Sequence, residues 1–376
     1  MTLESLRGES LGGVSRRAKG SAAGSVSARP FISVVMPVFD AEAFLDEAIH
    51  SILTQSYPHF ELIVVDDGST DGSADLLRSR AGCDARIRPL FLPHGGVARA
   101  LNAGIAVARG DLVARMDADD VAVPERFALQ LDWMERHPVD LCGGSVRSFG
   151  TSDRLIWFPE THEAISSELL FRHSILHPTV LMRADVARAH PYDESAELED
   201  YAQWTRLAPL YRLSNLPAIL LRHRCHPRQV HRVMGARFRE ERRRYGEPYF
   251  FRMFPDAAPA DYAVLARVAD KEPLGSLSHL RLAGGWLARL AQVDEPFFRR
   301  RMAARWLATC RLAAPLGPGV VRLYHEALPA FGVDAPRQAR GLALACALGL
   351  RHGSRLDTIL LRTWRRFGSR QSRRSA

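Results

Sequence analysis

The chain has 376 residues, of which 47% are hydrophobic and 25% charged, and its formal net charge is +9. This composition excludes a disordered or fibrous chain and leaves room for two or more folded domains. The positive charge favours anionic partners, whether phosphates, nucleic acid or an acidic membrane surface, and does not choose among them.

The cysteines and the apolar runs indicate in which cellular compartment the protein is expected. Five scattered cysteines form no C-x-x-C pair, a pattern typical of free thiols in a reducing cytosol. The first residues lack the apolar core of a secretory signal, and the longest apolar run, residues 341–350, is shorter than the roughly 20 residues of a membrane span. We therefore expect a cytoplasmic protein, either soluble or in peripheral contact with the inner face of the membrane.

The N-terminal half alternates apolar runs with amphipathic segments. Residues 1–29 are rich in Ser, Gly, Ala and Arg and predict a flexible tail. After it, the runs ISVVMPV, FELIVV, RIRPLFL and DLVARM predict strands. One helix is predicted after the first run, capped by Asp40, and another after Gly95-Gly96. Such alternation predicts an α/β fold with a mostly parallel, Rossmann-like sheet flanked by helices.

The later part of the chain has a different pattern. A helix is predicted from Pro124 to just before Pro138, followed by a strand near residues 141–146, and we place one α/β domain over residues 30–250. Residues 257–376 are rich in Ala, Leu and Arg and predict a mainly helical region with no motif that indicates its role. Within it, residues 355–368 predict either a basic amphipathic helix at a membrane surface or a core-packing helix followed by a solvated tail.

Carboxylates follow three of the predicted strands. Asp40 follows the first, Asp66 and Asp67 end the second, and Asp117-Ala118-Asp119-Asp120 follows DLVARM. Ligands of open α/β sheets bind outside the carboxyl ends of the strands, where these acids are expected. A Mg²⁺ or Mn²⁺ ion would offset the repulsion between the carboxylates and a phosphate ligand. A turn with a helix cap explains Asp67 alone equally well, but it does not explain three acid-tipped strands in order.

Several motifs resemble glycosyltransferase family 2. They are PVFDAEAFLDEAIHSILTQSYPHFELIVVDDGSTDGS, then GGVARALNAGIAVARGDLVARMDADD, then PERFALQL, and they extend over roughly residues 31–235. The resemblance implies the GT-A fold, a nucleotide-diphosphate sugar donor, a Mn²⁺ or Mg²⁺ cofactor and inversion at the anomeric carbon.

The resemblance also assigns residues on the donor side. Pro37 and Phe39 fall in the first loop, near the nucleotide, and Asp67, with Asp66 beside it, matches the position that binds a uracil-type base. Asp117 and Asp119 form the D-x-D motif, in which one acid meets the ribose and another the metal. Asp120 is a rival metal ligand.

Two later motifs complete the assignment. Glu199-Asp200 matches the E-D motif, which makes Asp200 the expected general base, and Arg224 and His226 belong to an R-x-H-x-x-Q element that closes over the diphosphate. His177 has two interpretations, a residue of the acceptor site or a structural loop histidine. Trp204 is expected to pack beside the Asp200 helix.

The implied activity is metal-dependent, inverting transfer of a sugar, with a UDP-sugar favoured, to a glycan or lipid-linked acceptor in polysaccharide or cell-envelope glycan synthesis. No specific nucleic-acid partner is expected. A nucleotidyltransferase stays open as an alternative, although the first loop lacks a Gly-rich stretch with Lys or Arg. A non-catalytic basic protein that binds membranes or nucleic acid is a second alternative, and it leaves the ordered acids unexplained. No G-x-G-x-x-G follows the first strand, which argues against a dinucleotide dehydrogenase.

Overall fold

The computed structural model describes residues 29–226, 235–332 and 339–354, and the helix predicted over residues 355–368 lies outside them, as does nearly all of the predicted tail. The described residues form two compact units. An α/β unit comprises residues 29–169, 173–226 and 235–249, and a helical unit comprises residues 170–172, 250–332 and 339–354.

The α/β unit is built on one sheet in which nine strands are described. The strands are β1 (Ile32–Val38), β2 (Phe60–Asp66), β3 (Ile87–Phe91), β4 (Leu112–Arg115), β5 (Val121–Ala122), β6 (Leu141–Gly150), β7 (Arg154–Ile156), β8 (Leu181–Arg183) and β9 (Leu213–Cys225). Their spatial order is β3-β2-β1-β4-β8-β6-β9-β5, with β7 beside β6. The pairs among β1, β2, β3 and β4 are parallel, as the alternation of strands and helices requires. Beyond β4 the sheet is mixed, because β8 is antiparallel to both β4 and β6, and β5 is antiparallel to β9.

Helices cover both faces of the parallel part of the sheet. Alternate side chains of a strand point to opposite faces, and the apolar side chains on each face pack against helices. Val34, Met36 and Leu62 face a core shared with the first helix, whereas Val35 lies against Gly104 of the third. The helices of this unit are α1 (Glu42–Leu53), α2 (Ser73–Cys83), α3 (Val97–Val107), α4 (Arg126–Arg136), α5 (His162–Leu169), α6 (Ala184–Ala189) and α7 (Glu199–Leu207), together with residues 235–249 of α8 (Gly235–Met253).

Two local predictions are wrong. Asp40 does not cap α1: the residue before the helix is Ala41, and Asp40 adopts a left-handed backbone with φ of 47°. Its carboxylate instead accepts the N–H of Thr70 at 2.7 Å. Asp and Asn are the non-glycine residues that best tolerate this conformation, which accounts for an acid at this turn. The helix predicted from Pro124 begins at Arg126.

The helical unit confirms the predicted helical character of the C-terminal region. Its helices are α9 (Pro259–Asp270), α10 (Leu277–Leu290), α11 (Pro296–Leu312), α12 (Gly319–Ala327) and α13 (Ala339–Ala347). Phe298 and Trp306 of α11 are fully buried and anchor its core. Among the helices of the described residues, none has both the length and the apolar character needed to cross a bilayer.

Candidate active site

An aromatic pair lies where β1 ends. Pro37 lies within β1, opposite Val65 of β2, and not in the loop where it was predicted. Phe39 follows the strand, is 47% exposed, and its ring centre lies 4.2 Å from that of His94. His94 was missed from the sequence, where its position directly before Gly95-Gly96 is the available signal. Contact of Pro37 and Phe39 with a nucleotide stays a prediction.

The two acids that end β2 close the neighbouring loops. The carboxylate of Asp67 accepts the backbone N–H groups of Gly95 at 3.0 Å and Gly96 at 2.8 Å, and its Oδ2 lies 2.9 Å from Nδ1 of His94. Asp66 is also buried, and its Oδ1 accepts the N–H of Ser69 at 3.3 Å. Both acids therefore hold the loops at the end of the sheet where a nucleotide is expected. Binding of the base by either acid stays a prediction.

The D-x-D acids form a compact carboxylate cluster. One ligand oxygen from each of Asp117, Asp119 and Asp120 lies within 4.8 Å of the other two. Asp117 makes an ion pair with Arg115, whose Nη1 lies 2.5 Å from its Oδ2. The predicted gathering of these acids at one edge is thus present in the structure.

Two histidines and a backbone N–H of the β9 edge contact the other acids of the cluster. Nε2 of His226 lies 3.0 Å from Oδ2 of Asp119. Nδ1 of His223 lies 3.1 Å from both oxygens of Asp120, and the backbone N–H of Arg224 donates to the same carboxylate at 2.8 Å. His223 was missed, because its partner is more than 100 positions away in the sequence.

The cluster retains charge repulsion despite these partners. Burial raises the pKa of Asp120 to about 6, against the opposing effect of His223. Burial and the charge of Asp117 raise the pKa of Asp119. Burial also disfavours the charged form of Asp117, but Arg115 outweighs it and holds the pKa of Asp117 below its usual value. A further cation near Asp119 and Asp120 would therefore be stabilising.

The donor set fits a divalent cation. Carboxylate oxygens are the ligands that Mg²⁺ and Mn²⁺ favour in proteins, and the raised pKa values indicate negative charge that a cation would offset. Asp120 is fully buried with both oxygens bonded, whereas the Asp119 side chain is 26% exposed. Asp119 is thus the better placed metal ligand, with Asp117 beside it.

Arg224 joins the cluster from β9. Its Nε donates to the backbone carbonyl of Asp119 at 2.7 Å, and its guanidinium makes an ion pair with Glu47. The same group lies over the rings of Phe44 and Phe149 at 4.7 and 4.5 Å. The structure therefore brings Arg224 and His226 to the acid cluster, and their closing over a diphosphate stays a prediction. Arg228 and Gln229 of the motif lie outside the described residues.

The E-D motif opens α7, where negative charge is favourable at a helix N-terminus. Oδ1 of Asp200 accepts the N–H of Tyr201 at 2.7 Å, and its Oδ2 lies 3.0 Å from Nδ1 of His173. Burial disfavours the charged form of Asp200, but His173, His177 and the Tyr201 N–H outweigh it and hold the pKa of Asp200 well below its usual range. Asp200 is therefore an ionised carboxylate at neutral pH.

His177 is buried beside the other acid in the motif. Its Nδ1 lies 3.3 Å from Oε1 of Glu199, and its Nε2 lies 2.8 Å from the hydroxyl of Tyr192. Burial raises the pKa of Tyr192, so its hydroxyl is protonated and can donate to His177. Trp204 is fully buried and packs edge-on to His177 at 5.6 Å, but it lies within α7 itself and not beside this helix as predicted.

One arginine connects the two acidic motifs. Arg115, the last residue of β4, is buried and pairs with Asp117. Burial alone would lower its pKa, but the negative charges of Asp117 and Glu199 outweigh this effect and raise it. Arg115 therefore pairs directly with the D-x-D motif, and the charge of the E-D acid Glu199 acts on the same guanidinium.

Comparisons with known proteins identify the family of the chain. The family model described as glycosyl transferase family 2 matches residues 33–187. An uncharacterized glycosyltransferase of Haemophilus influenzae is 32% identical over 222 residues, which cover 54% of this chain and 68% of the relative. The O-antigen biosynthesis glycosyltransferase WbnJ of Escherichia coli is 32% identical over 203 residues, 52% of this chain and 80% of the relative. The amylovoran biosynthesis glycosyltransferase AmsE of Erwinia amylovora is 31% identical over 214 residues, 54% of this chain and 79% of the relative.

Solved structures show the same fold. The chain superimposes on S. aureus TarS 1-349 in complex with UDP-GlcNAc with a TM-score of 0.54, at 17% identity, over 86% of this chain and 93% of that one. The same protein without a named ligand gives a TM-score of 0.52 at 17% identity, over 84% of this chain and 90% of that one. The predicted GT-A fold is therefore confirmed.

Proposed function

The chain belongs to glycosyltransferase family 2, and from this premise we propose that it transfers a sugar from a nucleotide-diphosphate sugar, with UDP favoured, to a hydroxyl of a glycan or lipid-linked acceptor. WbnJ and AmsE are named for O-antigen and amylovoran biosynthesis, and by analogy we propose a role in polysaccharide or cell-envelope glycan synthesis. The preference for UDP rests on the resemblance of the Asp66-Asp67 stretch to the base-binding motif of the family.

The carrying observation is the carboxylate cluster of Asp117, Asp119 and Asp120, in which Asp117 pairs with Arg115. In our proposal, Asp119 would hold Mn²⁺ or Mg²⁺, Asp120 is the rival metal ligand, and Asp117 would meet the ribose of the donor. When bound, the metal supplies charge neutralisation for the leaving nucleotide. Arg224 and His226 lie beside these acids and add positive charge on the same side.

Asp200 acts in this proposal as the general base. The acceptor oxygen attacks the anomeric carbon from the face opposite the nucleotide, and Asp200 takes the hydroxyl proton. The new carbon–oxygen bond forms as the bond from the anomeric carbon to the phosphate oxygen breaks, and the electron pair leaves with the nucleoside diphosphate. A single displacement of this kind inverts the anomeric centre.

A panel of UDP-, GDP-, dTDP- and CMP-sugars with Mn²⁺ tests the proposal through nucleotide release and protection against melting. Asp200→Asn should keep nucleotide affinity and lose roughly 10²- to 10⁴-fold in transfer, because only the acceptor step needs the base. Asp185→Asn, at a side chain that is 60% exposed on α6, is the matched control and should behave as wild type. Transfer by Asp200→Asn at the wild-type rate excludes Asp200 as the base.

The panel also separates the alternatives. Release of pyrophosphate from a nucleoside triphosphate, with no release of nucleotide from any sugar donor, would indicate a nucleotidyltransferase. Binding of lipid or nucleic acid with no response to any nucleotide would indicate a non-catalytic protein.

A further inference from the structure

Two histidines of one segment meet the two acids of the E-D motif. His173 and His177 lie four residues apart before β8, and Glu199 and Asp200 form the start of α7. Nδ1 of His173 lies 3.0 Å from Asp200, and Nδ1 of His177 lies 3.3 Å from Glu199. The proposed base therefore has a histidine partner of its own, which no motif of the sequence assigned.

Some of the hydrogen-bond acceptor positions on the Asp200 carboxylate face protein groups, and others are accessible to a substrate. An ionised carboxylate offers about four acceptor positions on its two oxygens. The Tyr201 N–H donates to Oδ1, and Nδ1 of His173 lies 3.0 Å from Oδ2 as an ion-pair contact. The side chain is 16% exposed, so the remaining positions are within reach of a hydroxyl group.

Two fixed contacts restrict rotation of the carboxylate. The Tyr201 N–H belongs to the backbone of α7 and bonds only to Oδ1. With this contact alone, the carboxylate could still rotate about Oδ1. His173 provides a second point on the other oxygen. Because an ionised carboxylate can only accept hydrogen bonds, a hydrogen bond between the two groups requires Nδ1–H of His173 as the donor.

His173 is itself held by the core of the α/β unit. Its ring packs edge-on to Tyr201, with ring centres 5.5 Å apart and an interplanar angle of 65°. Tyr201 is fully buried, and its hydroxyl donates to the carbonyl of Leu169 at 2.8 Å. The orientation of Asp200 is thus connected to the packed core through Tyr201 and His173.

His177 differs from His173 in its surroundings. It is buried with Glu199 and Tyr192 on its two nitrogens, and it does not contact Asp200 within hydrogen-bond distance in the described contacts. The His173 side chain, by contrast, is 21% exposed at the same edge as Asp200. Of the two histidines, His173 is the one placed to act on the base.

We propose that His173 is a positioning residue for sugar transfer, which donates its Nδ1–H to Oδ2 of Asp200 and holds that carboxylate in the orientation that receives the acceptor proton. The inference rests on the proposed function, because it requires Asp200 to be the base. A misplaced base loses catalysis without losing the donor site, and a displacement of about 1 Å costs on the order of 10²-fold in rate.

The rival explanation is an ion pair that only stabilises the first turn of α7. In that case, removal of His173 lowers the melting temperature, and its effect on rate does not depend on Asp200. The two explanations separate when rate, melting temperature and dependence on Asp200 are measured together.

The variants are His173→Ala, which removes the donor, and His173→Asn, whose amide nitrogen can occupy the place of Nδ1. His190→Asn is the matched control, because Nε2 of His190 lies 2.9 Å from the Tyr211 hydroxyl, away from Asp200. Release of UDP from UDP-GlcNAc, UDP-glucose and UDP-galactose is measured with Mn²⁺ and with octyl glucoside or water as acceptor. Each variant is also made with Asp200→Asn.

We expect His173→Ala to lower kcat by roughly 10- to 100-fold with donor KM within about twofold, and His173→Asn to restore kcat to within about fivefold. In the Asp200→Asn background, His173→Ala should have almost no further effect. The inference is overturned if His173→Ala keeps the wild-type kcat, if His173→Asn is as slow as the alanine variant, or if the loss is the same without Asp200. No turnover by the wild type with any donor overturns the proposed function, and the inference with it.

Discussion

Asp119 lies among like charges that the folded protein neutralises only in part. Its pKa is raised by burial and by Asp117, so the folded chain favours its neutral form more than the unfolded chain does. At pH 7 this preference costs stability, because the ionised carboxylate is held where it is disfavoured. The cost disappears as the pH falls and the group becomes protonated in both states. The proposed metal site would therefore be obtained at the expense of stability without the metal.

Asp119→Asn should consequently have opposite effects on stability and binding. Without metal at pH 7 we expect the melting temperature to rise by about 2 °C, and this gain should shrink as the pH is lowered. The affinity for UDP in the presence of Mn²⁺ should fall at least roughly tenfold, as measured by calorimetry, because a metal ligand is lost. Asp132→Asn, at a side chain that is 56% exposed on α4, is the control and should change neither quantity. Equal UDP affinity of the wild type in EDTA and in Mn²⁺ would contradict the metal site.

Asp40 is a second residue whose role is local geometry. With φ of 47° and a bond to the Thr70 N–H, it needs a side chain that tolerates a left-handed backbone and accepts a hydrogen bond. We expect Asp40→Asn to be nearly neutral and Asp40→Ala to lower the free energy of unfolding by about 1–2 kcal/mol in urea titrations. Equal stability of the two variants would show that neither the backbone strain nor the bond matters.

At the scale of elements, close packing of α3 against the sheet depends on a glycine. A Cβ on Gly104 would lie 2.5 Å from a methyl of Val35 and 3.2 Å from a methyl of Val65. Gly104→Ala should therefore destabilise the chain by about 1–3 kcal/mol through overpacking. Gly82→Ala on α2 is the matched control, since a Cβ there meets nothing within 4 Å, and it should stabilise by about 0.5–1 kcal/mol. Urea titration gives both values, and destabilisation by both substitutions would contradict the packing argument.

The elements that the sequence predicts well are those whose pattern is local. Strands β1 to β4 and helices α1 and α3 follow from apolar runs and helical spacing within about a dozen residues each. Strands β5, β7 and β8 have only two or three residues, and their pairing with distant strands has no local pattern. The mixed half of the sheet therefore could not be predicted from periodicity.

The candidate site also contains residues that a local motif predicts and residues that only the fold brings together. Its acids follow strand ends, where a motif marks them, and the structure gathers Asp117, Asp119 and Asp120 as expected. The histidines that contact the acids, namely His94, His173 and His223, come from segments 27 to 103 positions away, and no spacing rule connects them. The histidine partners of these acids are therefore set by the tertiary fold and not by a local sequence pattern.

At the scale of the whole molecule, the net charge of +9 and the sequence of residues 355–368 bear on membrane contact. That segment, RLDTILLRTWRRFG, places apolar residues at helical spacing between arginines, a pattern that suits an anionic bilayer surface. Shortly before it, the described chain exposes Leu344 and Leu348, by 40% and 59%. A peripheral contact of this kind would suit a lipid-linked acceptor.

The full-length chain with Arg362, Arg365 and Arg366 changed to Gln tests this contact. Each basic residue near an anionic surface contributes about 1 kcal/mol, so the loss of three should weaken binding to phosphatidylserine-containing vesicles by roughly a hundredfold at low salt. The difference should shrink as salt screens the charges.

The control for this test removes the same three charges elsewhere, with Arg78, Arg136 and Arg147 changed to Gln at side chains that are 59%, 61% and 60% exposed. If net charge alone drives binding, both triple variants lose the same affinity in co-sedimentation. If the segment itself meets the bilayer, only the first variant loses most of its binding. Absence of binding by the unaltered chain would instead favour the interpretation in which this helix packs in the core.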